Sequence, residues 1–369
     1  MKLIYLTSQK FPSKKAEPIY HSQMARAFTE LLGKNFLFLV RGNIPDELKN
    51  INTMSVKLPK HFRAFFYFLR IPFLIISQKW NNYETIFFSY DPYLLSVIIF
   101  WRKFFRFKYS ICSDWHQLFD DWRDKYVAKR SDYIISTSKR LKGILSSVCG
   151  IDRNKILVAY GGVNKNSFIE KAKIKKEEHR KRLGLPADLF LVGYIGGFRS
   201  VGMEKGLDTM IKALEYLDEN IIMVFVGGSK QHISEYMVFA KEMDIEDRCI
   251  FVEKQPFKKV VEYELAMDIL VIPYPDKHHF RDYGFPMKVW EYIASGRPIV
   301  YSNLEIIAEV LEGRGIPFQP DDEHCLADSI LSIFNNIESA EKIDRENSSV
   351  VRSYTWKSRA ENIIKFIRR

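Results

Sequence analysis

Gly284-Phe285-Pro286-Met287-Lys288-Val289-Trp290-Glu291-Tyr292-Ile293-Ala294-Ser295-Gly296-Arg297-Pro298-Ile299-Val300 is the stretch on which the reading of this chain turns. It predicts a short helix between two loops, because Pro286 suits a first helical position and Gly296 with Pro298 supplies the stop. The amides of Met287 and Lys288 then fall among the N-terminal donors that no intrahelical carbonyl can reach. Open amides beside a lysine favour a phosphate. Glu291, one turn further on, can accept two hydrogen bonds from a vicinal diol such as a ribose. Spacing alone favours a plainer outcome, a surface helix in which Lys288 and Glu291 form an i, i+3 ion pair.

Outward from this stretch, short apolar runs alternate with helical patterns in both directions. Upstream lie Leu189 to Ile195, Lys205 to Leu217 (helical), Ile221 to Val226, Ser234 to Met243 (helical), Cys249 to Val252, Lys258 to Ala266 (helical) and Ile269 to Ile272. The first half has strand patterns at Leu3 to Thr7, Asn35 to Val40, Thr85 to Ser89, Tyr109 to Ser113, Tyr133 to Ser136 and Ile156 to Ala159, with helical patterns at Ile19 to Leu32 and Lys139 to Cys149. Such alternation predicts an α/β chain of two Rossmann-like, doubly wound domains with mostly parallel sheets. The Gly161-Gly162 turn and the lysine-rich segment after it mark the crossing. The expected division is 1–165, 166–350 and a terminal helix within 351–369. Ligands of such sheets bind at the carboxyl ends of the strands, so a cleft between the halves is the expected active site.

A chain of 369 residues, 47% hydrophobic and 27% charged, suits two soluble globular domains. No apolar run reaches the roughly 18 residues of a membrane span. Met1 to Thr7 is too short for a signal-peptide core and reads as a first strand, which places the protein in the cytoplasm. Cys112, Cys149, Cys249 and Cys325 are too scattered for zinc or a disulfide framework. Residues 1–165 hold 27 Lys and Arg against 12 Asp and Glu, a balance of +15, so the rest of the +11 chain carries −4. A basic half of this kind suits an anionic surface, either nucleic acid or lipid. No zinc spacing or aromatic RNA-recognition motif supports nucleic acid.

Gly196-Gly197-Phe198-Arg199, followed by Met203-Glu204-Lys205-Gly206-Leu207 at the opening of a helix, lets a backbone come close to a ligand. It also supplies two cations able to neutralise a diphosphate, although two solvated loop cations are the commoner outcome. His116, after Ser113-Asp114-Trp115 at a strand end, is by itself more often a structural hydrogen-bonding hub than a catalyst.

Pro286-Met287-Lys288-Val289-Trp290-Glu291-Tyr292-Ile293-Ala294-Ser295-Gly296-Arg297-Pro298 resembles the donor-site helix of the retaining GT-B glycosyltransferases of family four. Many members carry a second glutamate eight positions earlier, where this chain has Tyr283 beside Asp282. Val224-Phe225-Val226-Gly227-Gly228, Ala266-Met267-Asp268-Ile269-Leu270-Val271-Ile272-Pro273, Ser131 to Ser138 and Gly161 to Asn164 match the family in order. The likeness covers nearly the whole second half and the last third of the first. It does not extend to the first loop, Ser8 to Pro18, which lacks the family's glycine pair.

The resemblance implies that Glu291, Lys288, Met287, Pro286, Tyr283, Gly197 and Gly227 bind the nucleotide sugar. Lys205 and Arg199 would clamp the diphosphate, and His116 and Asp114 would orient acceptor or sugar. The nucleotide sugar is a substrate, and no cofactor or metal is expected. The terminal helix, from Thr355, would cross back to the first domain. The expected function is sugar transfer from a nucleotide-sugar donor to a glycan or lipid-linked glycan in bacterial-type surface polysaccharide assembly. The alternatives are a non-catalytic partner subunit or a sugar-nucleotide epimerase on the same fold. Aromatics interleaved with cations over 61–108, including Arg102, Lys103 and Arg106, predict peripheral attachment to the anionic inner face of the cell membrane.

Overall fold

The computed structural model describes residues 1–10, 16–42, 44, 46–56, 63–284, 286–336 and 353–369, with only the backbone described at 10, 16–19, 47 and 63–66. The chain divides into two compact units, Met1–Gly161 with Trp356–Arg369, and Gly162–Thr355. The crossing thus falls at Gly161, a few residues before the expected 165.

The first unit runs β1 (Lys2–Lys10), α1 (Ala16–Leu32), β2 (Phe36–Arg41), β3 (Thr53–Val56), α2 (Arg63–Ser77), β4 (Thr85–Ser89), α3 (Pro92–Phe105), β5 (Ser110–Trp115), α4 (Trp122–Ala128), β6 (Tyr133–Ser136), α5 (Lys139–Cys149) and β7 (Ile156–Val158). Its sheet has the order β3-β2-β1-β4-β5-β6-β7, parallel throughout. Every residue of β4 is buried, as expected of a strand covered on both faces. The strand order reverses between β1 and β4, and sheets of this kind bind ligands at the carboxyl ends of their strands at such a reversal.

Helices α2 and α3 are joined through a vacancy that a proline creates. Pro72 lies inside α2 and has no N–H to give the carbonyl four residues back. That carbonyl, Phe68 O, instead accepts from Trp101 Nε1 of α3 at 2.8 Å, and the two rings lie 4.7 Å apart. The outer face of α2 is left with Leu69, Phe73 and Ile76 exposed, one helical stripe.

The second unit continues with α6 (Lys165–Lys171), α7 (Lys176–Leu183), β8 (Phe190–Ile195), β9 (Arg199–Ser200), β10 (Met203–Glu204), α8 (Leu207–Ala213), β11 (Ile221–Gly228), α9 (Lys230–Glu242), β12 (Cys249–Glu253), α10 (Phe257–Ala266), β13 (Ile269–Ile272), α11 (His278–Asp282), α12 (Lys288–Ser295), β14 (Ile299–Ser302), α13 (Glu305–Leu311), β15 (Ile316–Phe318) and α14 (Glu323–Phe334). The parallel sheet has the order β12-β11-β8-β13-β14-β15, with its reversal between β8 and β13.

One expected helix start moves. The pattern from Lys205 predicts helix, but Met203–Glu204 pairs with Arg199–Ser200 as a hairpin, and α8 begins only at Leu207. Gly206 is the reason, with φ of +77° and a position where an added Cβ would lie 1.8 Å from the carbonyl oxygen of Pro273. Only glycine permits both the left-handed backbone and this approach. Gly206→Ala is expected to destabilise the chain by more than about 1 kcal/mol, since alanine is costly wherever φ is positive. Thermal melts of the two proteins check this, and equal midpoints would show that the contact is easily relieved.

Candidate active site

Three loops meet at the reversal of the second sheet. After β8, Gly196 and Gly197 lie so close to the β11 turn that a Cβ on Gly227 would fall 2.3 Å from Gly196 O. Tyr194 Oη donates to Gly197 O at 2.9 Å, and Tyr292 Oη of α12 accepts from Ile195 N at 2.8 Å. These bonds tie the glycine loop to α12. A Cβ on Gly196 would lie 3.5 Å from Lys288 Cε, so Lys288 borders the loop directly.

Helix α12 starts at Lys288, two residues later than Pro286 suggested. Pro286 is buried, and its carbonyl accepts from Val289 N at 3.1 Å, while Met287 O accepts from Trp290 N at 3.2 Å. The first turn is therefore wound with three-residue spacing. The ion pair that spacing favoured is present, since the Lys288 ammonium contacts Glu291 Oε2. It is not a surface pair. Glu264 of α10, fully buried, approaches the same ammonium with Oε1 at 3.1 Å. Burial pushes the Glu264 carboxyl up to about 8, with Glu291 adding to the shift and Lys288 opposing it. Burial alone would lower the Lys288 ammonium, but the two carboxylates outweigh it and hold it well above the ordinary lysine value. Tyr283 is buried with its ring edge-on to His278 at 5.0 Å, and Asp282 Oδ2 lies 2.7 Å from His278 Nδ1.

The two expected clamp cations have different settings. Lys205 Nζ lies 5.4 Å from the centre of the Tyr274 ring, next to the Gly206–Pro273 approach. Arg199 is held in the hairpin, where its Nη2 donates at 2.8 Å to both Glu204 and Glu235. A guanidinium neutralised by two carboxylates is a weaker partner for phosphate than an open one, so Arg199 acts first as the fastening of the hairpin.

In the first unit, Asp114 and His116 close β5 and lie together, His116 Nε2 to Asp114 Oδ2 being 3.4 Å. Asp114 does not face a ligand. Its side chain is 0% exposed, Tyr20 Oη donates to Oδ2 at 2.6 Å, and Arg359 Nη2 reaches both oxygens at 2.7 and 2.8 Å. Burial would raise this carboxyl, but Arg359, with His116 assisting, holds it well below the usual carboxylate range. His116 is half-buried and lies edge-on to the Tyr20 ring at 4.5 Å. Of the pair, only His116 is partly open, and Asp114 lies enclosed against it.

Residues 175–350 match the family described as glycosyl transferases group 1. The O-antigen chain mannosyltransferase RfbU of Salmonella typhimurium is 24% identical over 229 residues, 62% of this chain and 57% of that protein. The D-inositol 3-phosphate glycosyltransferase of Xylanimonas cellulosilytica is 25% identical over 183 residues, 48% of this chain and 42% of that protein. The chain spans about half the length of these curated relatives. The crystal structure of Anabaena Alr3699/HepE in complex with UDP aligns over 100% of both chains with a TM-score of 0.79 at 14% identity, a likeness of fold. This chain has the GT-B fold, and its second unit resembles the group 1 glycosyl transferases.

Two members of the GT-B chain's polar clusters escape a reading by motif. Arg359 follows Trp356 by three positions on the face of the C-terminal helix (Trp356–Ile367) that buries Ala360, Ile363 and Ile367. Glu264 falls between Val261 and Leu265 on the buried face of α10. A charge on the apolar face of an amphipathic helix was the available signal, since it requires a buried partner. Arg359→Ala is expected to cost about 3–5 kcal/mol, the price of leaving the Asp114 charge buried and alone. The sign of the pH dependence should also reverse. In the parent chain the depressed Asp114 carboxyl contributes stability that is lost as pH falls. In the variant that carboxyl is raised, so stability improves as pH falls through the carboxylate range. Urea unfolding between neutral and acidic pH decides, and a parallel loss in both proteins would assign the effect to packing.

Proposed function

We propose that this chain transfers a sugar from a nucleoside-diphosphate donor to a glycan or lipid-linked glycan acceptor in the assembly of a surface polysaccharide, with retention at the anomeric carbon. The observation that carries the reading is the gathering of the Gly196–Gly197 loop, the Gly227 turn, Lys205 and the start of α12 at the reversal of the second sheet. The names of the relatives and the UDP in the Anabaena structure support it.

In this reading Glu291 accepts the two hydroxyls of the donor ribose. The amides at the start of α12 and Lys205 receive the diphosphate. The ammonium of Lys288 already lies between two carboxylates, so its part is to hold Glu291. As the bond from the anomeric carbon to the diphosphate breaks, charge grows on the phosphate, and Lys205 is assigned that charge in place of a divalent ion. The acceptor hydroxyl attacks from the face the phosphate leaves, and its proton passes to the departing phosphate oxygen. Within the first unit, His116 is assigned to the acceptor. Glu291→Ala should weaken binding of the preferred nucleoside diphosphate, chosen among UDP, GDP and ADP, by about 1–3 kcal/mol, because donor hydroxyls lose a charged acceptor. Calorimetry checks it, and unchanged affinity would sink the donor site as drawn.

The acceptor's membrane source rests on α2 and α3. Among the described residues no helix is long and apolar enough to cross a membrane. Yet Phe73 is 70% and Phe104 66% exposed, with Leu69, Ile76, Phe100 and Phe105 also open, and Lys103, Arg106 and Lys108 stand exposed at the end of α3. Apolar side chains flanked by cations complement an anionic leaflet, where each cation near the surface contributes about 1 kcal/mol. We therefore place the chain in the cytoplasm, peripheral on the inner face of the cell membrane. One expected cation drops out, because Arg102 turns inward to Asp132 and donates to Arg130 O at 2.7 Å. His61 and Phe62 lie outside the described residues. The chain should sediment with phosphatidylglycerol vesicles and lose that binding when Lys103, Arg106 and Lys108 are changed together to Glu. Equal partition onto neutral and anionic vesicles would remove the membrane from the reading.

A further inference from the structure

Glu264 is a buried ionisable group to which the mechanism above gives no task. Glu264 is fully buried on α10 and turns Oε1 to the Lys288 ammonium at 3.1 Å, while its Oε2 has no hydrogen-bond partner. Lys288 also contacts Glu291 Oε2, three residues along α12, and its stem borders Gly196. One ammonium at the edge of the glycine loop is thus divided between two carboxyl groups, one enclosed on α10 and one three residues along α12. The enclosed one serves no packing purpose that an apolar side chain of equal size would not serve better, since desolvating a carboxyl is unfavourable.

We propose that Glu264 is a positioning residue for the nucleotide donor, holding Lys288 back so that Glu291 keeps acceptor capacity for the donor's ribose hydroxyls. The inference rests on the donor reading of Glu291. Without an oxygen at position 264, the ammonium has a single carboxylate left to satisfy it. It then moves fully onto Glu291, and a ribose diol must compete with a charge-assisted bond inside a poorly solvated site. What matters is the oxygen facing Nζ, so the amide of glutamine can replace it and a methionine of similar length cannot.

Calorimetric titration with UDP, GDP and ADP, using whichever binds the parent chain most tightly, tests the proposal. Glu264→Met should weaken binding about tenfold, whereas Glu264→Gln should stay within about twofold of the parent. Adding Glu264→Met to Lys288→Met should leave the affinity of Lys288→Met unchanged, because a residue acting only through Lys288 has nothing left to act upon. The double variant replaces a buried charge cluster by apolar side chains and keeps the question open even if Glu264→Met alone fails to fold. A Glu264→Met chain that melts lower but binds as the parent does would reduce Glu264 to a structural residue. So would effects that multiply in the double variant, or a Gln variant as weak as the Met variant. If Glu291→Ala also binds normally, the donor reading itself has failed. If Glu291→Ala is defective while Glu264→Met is normal, only the present proposal has.

Discussion

A guanidinium that reaches a carboxylate with neither group in contact with water is the constraint on which the first unit depends. Taking either charge out of solvent alone is prohibitive, so Arg359 and Asp114 are tolerable only together. Tyr20 of α1 completes the arrangement by donating to the carboxylate and accepting from the guanidinium, and Tyr160 O takes a further guanidinium hydrogen at 3.2 Å. The last helix of the chain, the first helix and the fifth strand are thereby fixed to one another at a point rather than along a greasy face. The apolar stripe of the C-terminal helix could slide by a turn, but the ion pair specifies its register.

The second unit uses a different constraint, the closeness of backbones. Gly227 against Gly196 and Gly206 against Pro273 bring three strand-end loops nearer than any side chain would allow. The tyrosine hydroxyls of Tyr194 and Tyr292 then take up carbonyl and amide groups that such crowding would otherwise strand. Precision at this site comes from absent side chains, fastened by hydroxyls from elements already locked in the core.

How far the sequence reveals this differs by level. The alternation of β8, β11, β12 and β13 with helices was plain from their apolar runs, and so was the two-fold doubly wound plan. The stretch 301–350 went unread, although it holds the end of β14 and then α13, β15 and α14, because a buried parallel strand of three or four residues carries too little periodicity to separate from its flanks. The same limit hid β3. At the site, types of residue were legible and partners were not. Lys288 and Glu291 could be paired by helical spacing, whereas Glu264 is 24 positions from Lys288 and Arg359 is 245 from Asp114. No local rule joins residues so far apart. Arg199 shows the converse, a cation read as a diphosphate clamp whose partners, Glu204 and Glu235, come from a hairpin and a helix that only the fold brings near it.

The two buried clusters differ in a way that bears on their uses. Around Asp114 one cation meets one carboxylate, both oxygens are filled, and the remaining guanidinium hydrogens go to a hydroxyl and a carbonyl. Such a cluster has no capacity to spare, and a ligand could enter it only by breaking it. Around Lys288 one cation meets two carboxyl groups, whose acceptor sites outnumber the donors supplied even with the proton that burial keeps on Glu264. An excess of acceptors next to a glycine loop is a demand for hydrogen-bond donors from outside the chain. A diol presents two such donors without adding a charge to a site in which Lys288 already balances Glu291, whereas a second cation would compete with Lys288 and a bare phosphate would be repelled by Glu291. On the reading proposed above, this cluster receives the sugar end of a nucleotide at Glu291 and leaves the phosphates to the backbone and to Lys205.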